Sequence, residues 1–499
     1  MALVLNGSNL DTNTLAEVSR NLTVVVDLDE AGLQRAKQAR QQILDALKSG
    51  KPVYGLTTGL GSRASEALDD QQAANFSLRT LRGRAHASGD PMSRTEVRAA
   101  MVVRLNTLLK GAAGADLSVL YCLRDCLNQG LTPVIGSIGS IGVSDLCQGA
   151  TLGLALCGEG RMIDRSGRHQ DAGEALLAEG ISPLSPGPRD GLALANHSAF
   201  SAGAMALATF QAKQLMVTAQ SSAALSLEAF GANADALDPV IDRIRPQPGQ
   251  GAAAAELRQL LHGGRSMDPA NARRLQDPLS LRCVIQVHGA ALAALGFSEQ
   301  SAVAEINGAS DNPMVDLDGK RIISHGGFHT PLLTVTSHSL SQALVQVAHA
   351  QVARMARLMT ARLTDLPQYL AAPGNDCNGF APLLKVAEAT LARLVQAAMP
   401  TPIWPSVNAD GVEDLLSNSP AAIDGLTRTI ALGERLCAME LLVACQALEM
   451  RGDPVSAPRL AIVRNVVRLT AEPLGEDRPL GDDIDRLTRH VQSGDFTAR

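Results

Sequence analysis

Apolar residues recur at helical spacing along most of the chain. Ser93-Arg-Thr-Glu96 places a hydroxyl at a helix start and a carboxylate three residues on, the pairing in which each caps the other's backbone. The helix it opens carries Val97, Met101, Leu105 and Leu108 on one stripe, and Gly111 stops it. Residues 339–363 predict a long uninterrupted helix with Leu340, Leu344, Val347, Val352, Met355 and Leu358 as its apolar stripe. Residues 196–230, rich in Ala, Ser and Met, predict a buried helix, and a further helix is expected from about Asp145 to Leu156. Residues 10–50 read as a short helical region ending at Gly50-Lys51-Pro52, and about the last 45 residues as further helix. Between these lie glycine-broken loops: Tyr54 to Gly61, Gly136 to Ser144, 243–250 and 371–375. No solenoid repeat and no low-complexity linker appears. The expectation is an all-α fold in one unit over 1–499, with a loop-rich N-terminal part at 1–190. A long helical bundle with the C-terminal helices occupies 191–499.

Composition sharpens that picture. Aromatic residues are only 2% of the 499, so the core must come from aliphatic side chains, with Ala and Gly letting helices approach closely. Scarce rings favour helix over sheet. The formal net charge is -6 with no run of Lys or Arg, which removes electrostatic support for a nucleic-acid or anionic-membrane partner. No stretch is apolar enough for a transmembrane helix, and Met1-Ala2-Leu3-Val4 does not start a signal peptide, so a cytoplasmic location is expected. The eight cysteines are scattered. Cys122 and Cys126 sit a helical turn apart with no second pair, which predicts reduced core thiols and no metal site.

The motifs are more specific. Tyr54-Gly-Leu-Thr-Thr-Gly59, the 97–106 helix ending in Lys110-Gly111, and Leu194-Ala-Asn196 come first. Gln276-Asp-Pro-Leu-Ser-Leu-Arg282, Glu305-Ile-Asn307, Asp311-Asn-Pro313, Gly326-Gly-Phe-His329 and Glu413-Asp414 follow. In this order, over essentially the whole chain, they resemble the histidine and phenylalanine ammonia-lyases, most closely the compact bacterial members. The resemblance implies an all-α homotetramer with active sites built from several subunits. It also implies a built-in electrophile, methylideneimidazolone, formed when an Ala-Ser-Gly segment cyclises and loses two waters.

This chain departs from the family at that point. Counting back from Gly158-Glu-Gly160, the triad positions hold Gly142, Val143 and Ser144. Valine has no hydroxyl to eliminate. A one-residue shift centres Ser144 but puts Asp145 where an unhindered glycine nitrogen is needed. The expectation is that methylideneimidazolone is absent and that no other cofactor replaces it. Ala87-Ser88-Gly89 does spell the triad, but it lies where the family has a different loop. The family's loop histidine maps to Arg84, with His86 two residues on; its second tyrosine maps to Leu279, the asparagine before Phe328 to Gly327, and a late-helix glutamate to Arg393.

The resemblance casts Tyr54 as the catalytic base, a task for which a phenol needs nearby positive charge or helix-start amides. It casts Arg282 as the fork that grips a substrate carboxylate. Asn196 and Gln276 are expected to hydrogen-bond the substrate or the loop around the old triad, and Phe328 to line the site. Arg84 and Arg393 either meet extra negative charge on the substrate or pair with acidic neighbours and solvent. Three functions stay open. One is an enzyme without the electrophile, acting on an amino-acid-like, anionic substrate by elimination, conjugate addition, cyclisation or isomerisation. The second is an ordinary ammonia-lyase, and the third a non-catalytic metabolite-binding homologue.

Overall fold

The computed structural model describes residues 2–50, 52–68, 70–372, 376–452 and 457–496, with backbone alone for 62 and 70–74. Lys51 and residues 373–375, both in expected loops, lie outside it. The fold is mostly helical, and its strands are short. The chain forms two compact units: Met1–Phe210, Glu299–Val335 and Thr401–Ile423 make the first, and Gln211–Ser298, Thr336–Pro400 and Asp424–Arg499 the second.

The first unit is organised around the helix Arg94–Leu108, in which every residue from Val97 to Leu108 is buried. The Ser93–Glu96 capping box forms as its spacing predicts, with both reciprocal bonds present. Two arginines inside this helix are fully buried. Arg98 donates to the Leu127 and Val18 carbonyls, and Arg104 makes a two-pronged pair with Asp311 at 2.6 and 3.1 Å. Small residues act as the composition suggests: a Cβ on Gly203 of helix Ala199–Phe230 would lie 3.1 Å from the Ala100 nitrogen, so the two backbones nearly touch. Within 10–50 the structure differs from the expected helical stretch. A strand, Val25–Leu28, separates helices Thr12–Arg20 and Glu30–Ser49 and pairs in parallel with Ala2–Leu5. The β-branched run Thr23-Val-Val-Val26 is the cause. Ser88–Pro91 pairs antiparallel with Gly136–Ile138, so Ala87-Ser88-Gly89 runs into an exposed strand.

The second unit holds most of the long-helix residues. Its centre is Glu440, whose carboxylate receives Arg354 Nε and Nη2 and the hydroxyls of Ser222 and Ser226, the latter two at 2.8 Å. Helices Ala199–Phe230, Pro331–Leu358 and Ser419–Met450 each supply part of this fully satisfied cluster. The helix expected at 339–363 starts earlier, because Pro331 is a good first helical residue, and ends at Leu358. Beyond it, Pro458–Thr470 and Gly481–Ser493 are the expected C-terminal helices. Among the described residues no helix is long and apolar enough to cross a membrane.

Candidate active site

Tyr54 sits in a tight turn. The Val53 carbonyl accepts from the amides of Leu56, Thr57 and Thr58, and Gly55 takes φ +64 with its α-carbon against Leu192. A side chain on Gly55 would strike Leu192 at 2.5 Å, which is why glycine follows the tyrosine. The Tyr54 hydroxyl oxygen accepts the Gly61 amide at 3.0 Å. Gly61 in turn approaches Ala409, at the head of a turn in which the Glu413 amide donates to the Asn408 carbonyl. Arg84 is half-buried beside this group. Burial lowers its pKa, while Tyr54, Glu413 and Cys147 act in the opposite sense by favouring its charge. Tyr54, Arg84 and Glu413 thus form one electrostatic cluster. His86 is exposed.

The 142–144 loop is held on every side within the first unit. The Gly142 carbonyl accepts from the Thr330 amide and hydroxyl, both at 3.2 Å, and from the Ser417 hydroxyl at 2.9 Å. The Ser144 amide donates to the Phe328 carbonyl at 3.0 Å, and Val143 forms a bridge with His329. Phe328 is therefore beside the loop. Ser144 has φ +65 and its hydroxyl donates to the His197 carbonyl. Asp145, fully buried, caps the arrangement: its carboxylate accepts from the Ser201 amide and hydroxyl and from Ser140 at 2.7–2.8 Å, and its own amide donates to His197. Burial raises its pKa against those hydrogen bonds. Asn196 follows helix Asp190–Ala195 and its amide donates to the Asn312 carbonyl at 2.9 Å, so it braces a neighbouring turn. His197 is buried and burial holds it well below the usual imidazole range; its Nε2 lies 3.0 Å from the Leu194 carbonyl, and its Nδ1 accepts the Ala199 amide.

Gln276, Arg282 and Arg393 belong to the second unit. Arg282 donates to the Gln276 side-chain oxygen just before helix Val284–Ile306, and its Nε has no partner among the described residues. Arg393 is exposed on helix Ala381–Ala397, and Leu279 is exposed too. Sequence reasoning had no role for Thr330, Ser417 or Ser419. Hydroxyl residues scattered over 90 positions carry no local signal, and only the fold gathers them.

The model of the aromatic amino acid lyases matches residues 10–469. The chain belongs to that family. The histidine ammonia-lyase of Symbiobacterium thermophilum is 33% identical over 503 aligned positions, covering 100% of this chain and 98% of that protein. The one from Caldanaerobacter subterraneus is 31% identical, covering 99% and 97%. Among solved structures, the ergothioneine-degrading enzyme ergothionase of Treponema denticola superposes with a TM-score of 0.94 at 26% identity, over 100% of both chains. Histidine ammonia-lyase from Trypanosoma cruzi gives 0.92 at 28%, covering 99% of this chain and 94% of that one. This lyase-family member is accordingly an enzyme of the carbon–nitrogen lyase type.

The family's methylideneimidazolone does not fit the residues of this loop. Closing it needs a hydroxyl on the middle residue, and Val143 has none. In the shifted register the attacking nitrogen would be that of Asp145, whose amide and carboxylate are both committed to His197, Ser201 and Ser140. Among the described residues no cluster of His, Cys, Asp and Glu could hold a metal.

Proposed function

We propose that this lyase works without methylideneimidazolone, using Tyr54 as base on an amino-acid-like, anionic substrate whose leaving group departs without being activated. The observation that carries this is Val143 where a dehydratable serine has to stand. An ammonia-lyase electrophile serves to acidify an unactivated β-proton or to improve a poor leaving amine. Lacking it, the protein must take a substrate that brings one of those properties itself. A quaternary ammonium group is such a leaving group. The likeness to ergothionase, an ergothioneine-degrading enzyme, supports an amino-acid-like substrate of this kind.

The step balances simply. The Tyr54 phenolate oxygen takes the β-proton, the C–H electrons become the new double bond, and the C–N pair leaves with the amine. Arg282 holds the carboxylate with a two-pronged fork, and Gln276 fixes the orientation of that guanidinium through their hydrogen bond. Asn196 steadies the turn at Asn312, and Phe328 presents an apolar wall beside the loop. Arg84 meets further negative charge, its own charge balanced by Glu413. Arg393 serves the same end, and the family's homotetramer is the assembly in which Arg282, Gln276 and Arg393 of neighbouring copies complete the site.

Intact-mass measurement of the purified chain tests this directly. The full residue mass is expected. A deficit of two waters, with the electrophile's near-ultraviolet absorbance, would return the protein to the ordinary ammonia-lyases.

A further inference from the structure

We propose that Ser417, with Thr330 and Ser419, is a positioning shell that locks residues 142–144 as an open peptide, so that the loop stays open even when the family's three residues are put back. The inference rests on the reading that the natural loop is uncyclised, but it concerns a different point: what in the surrounding fold keeps it so.

Ring closure joins the nitrogen of residue 144 to the carbonyl carbon of residue 142. The oxygen of that carbonyl leaves as one water with the amide protons of residues 143 and 144, and the hydroxyl of residue 143 leaves with its α-proton as the second. Both groups that would react are engaged here. The 144 amide donates to Phe328 at 3.0 Å, and the 142 oxygen accepts from Thr330 twice and from Ser417. Donors on a carbonyl oxygen also polarise its carbon, so these bonds alone do not decide the matter.

Space decides it. A Cβ on residue 142 would lie 2.0 Å from the Ser417 hydroxyl, 2.7 Å from that of Ser419 and 2.9 Å from the Ser419 nitrogen. Gly142 is also at φ +77, where a side chain is strained whatever the room. The Ser417 hydroxyl is the nearest and most severe of these obstacles, so the alanine with which the family's triad begins is kept out while that hydroxyl is present; the milder contacts with Ser419 and the backbone strain can be relieved by a small shift of the loop. The shell is tight because it is internally bonded: Thr330 and Ser419 hydroxyls are 2.7 Å apart, and the Thr334 hydroxyl donates to the Ser417 carbonyl at 2.8 Å. Glycine at 142 and serine at 417 thus act as a matched pair, one vacating the space the other fills.

The test installs Ala-Ser-Gly by G142A/V143S/S144G, with and without S417A, and reads intact mass and near-ultraviolet absorbance, with circular dichroism as the control for folding. The expected result is full mass for the triple variant and loss of two waters once S417A is added. Loss of two waters in the triple variant alone overturns the proposal, and so does full mass in both folded variants, which would put the lock elsewhere. If the multiple variants do not fold, G142A and S417A are compared singly and together by thermal melting. G142A should lower the melting temperature and S417A should recover part of that loss, whereas additive effects overturn the proposal. The mass of the natural chain reports separately on the absence of the electrophile.

Discussion

Replacing Tyr54 with phenylalanine leaves the turn at Val53 intact and removes only the oxygen that receives the Gly61 amide. With a tyrosine base, steady-state turnover of the true substrate should fall by about 10²–10⁴-fold while the melting temperature changes little. Retained turnover would remove Tyr54 from the mechanism. Glu305 makes a second prediction. Burial lifts its carboxyl from 4.5 to about 7, against a hydrogen bond from Ser198. Between those values the folded chain holds a proton that the unfolded chain has released, so stability declines as pH rises through the window and levels off above it. The loss amounts to roughly 3 kcal/mol for this group. Glu305→Gln should flatten the dependence of melting temperature on pH across that range, and an unchanged slope would show that another carboxyl carries it. At this scale Tyr54, Asn196 and Phe328 stand out in the sequence because each sits in a short motif. Glu413 stood in a matching motif without a role; its electrostatic link to Arg84 and Tyr54 exists only once the 408–413 turn is folded against Gly61.

Helices were readable where their ends are chemically marked. Ser93 and Glu96 name a start, and that start is where the helix begins. Ser93→Ala removes the hydroxyl that caps the Glu96 amide and should cost about 1 kcal/mol in urea unfolding, with no effect on turnover. A larger loss follows from Glu440→Gln, because Arg354 would then be a buried cation facing a neutral amide; about 3–5 kcal/mol is expected for breaking such a pair. The early start at Pro331 was hidden because Thr334, Val335 and Thr336 are β-branched and lower the helical signal of the first turns. The two- to four-residue strands were hidden for another reason: most are too short to show alternation, and their partners are up to about 50 residues away in sequence.

For the whole molecule, composition foretold a core built on aliphatic and small side chains, and the near contact at Gly203 shows how that works. It did not foretell which segments make each compact unit, since no local pattern records that 299–335 and 401–423 join the first. One stretch of the first unit leaves Ile403, Trp404, Val407, Val412 and Leu415 exposed, with Val407 at 86%. A run of this kind is what a neighbouring subunit covers. Trp404 is the only tryptophan. If the proposed homotetramer covers this run, sedimentation should report four copies, with tryptophan emission shifting to the red on dilution to monomer. Val407→Asp should yield smaller species, and a monomeric natural chain with solvent-exposed emission would contradict the assembly.

The threading of the first unit has a consequence for biosynthesis. Residues 1–210 reach the end of the ribosomal tunnel long before 401–423 are translated, yet the Gly142 carbonyl waits for Ser417 and the Arg104 guanidinium for Asp311. The first unit therefore cannot close until its last segment has been made, some two hundred residues after Phe210, and until then its apolar faces stay incompletely covered.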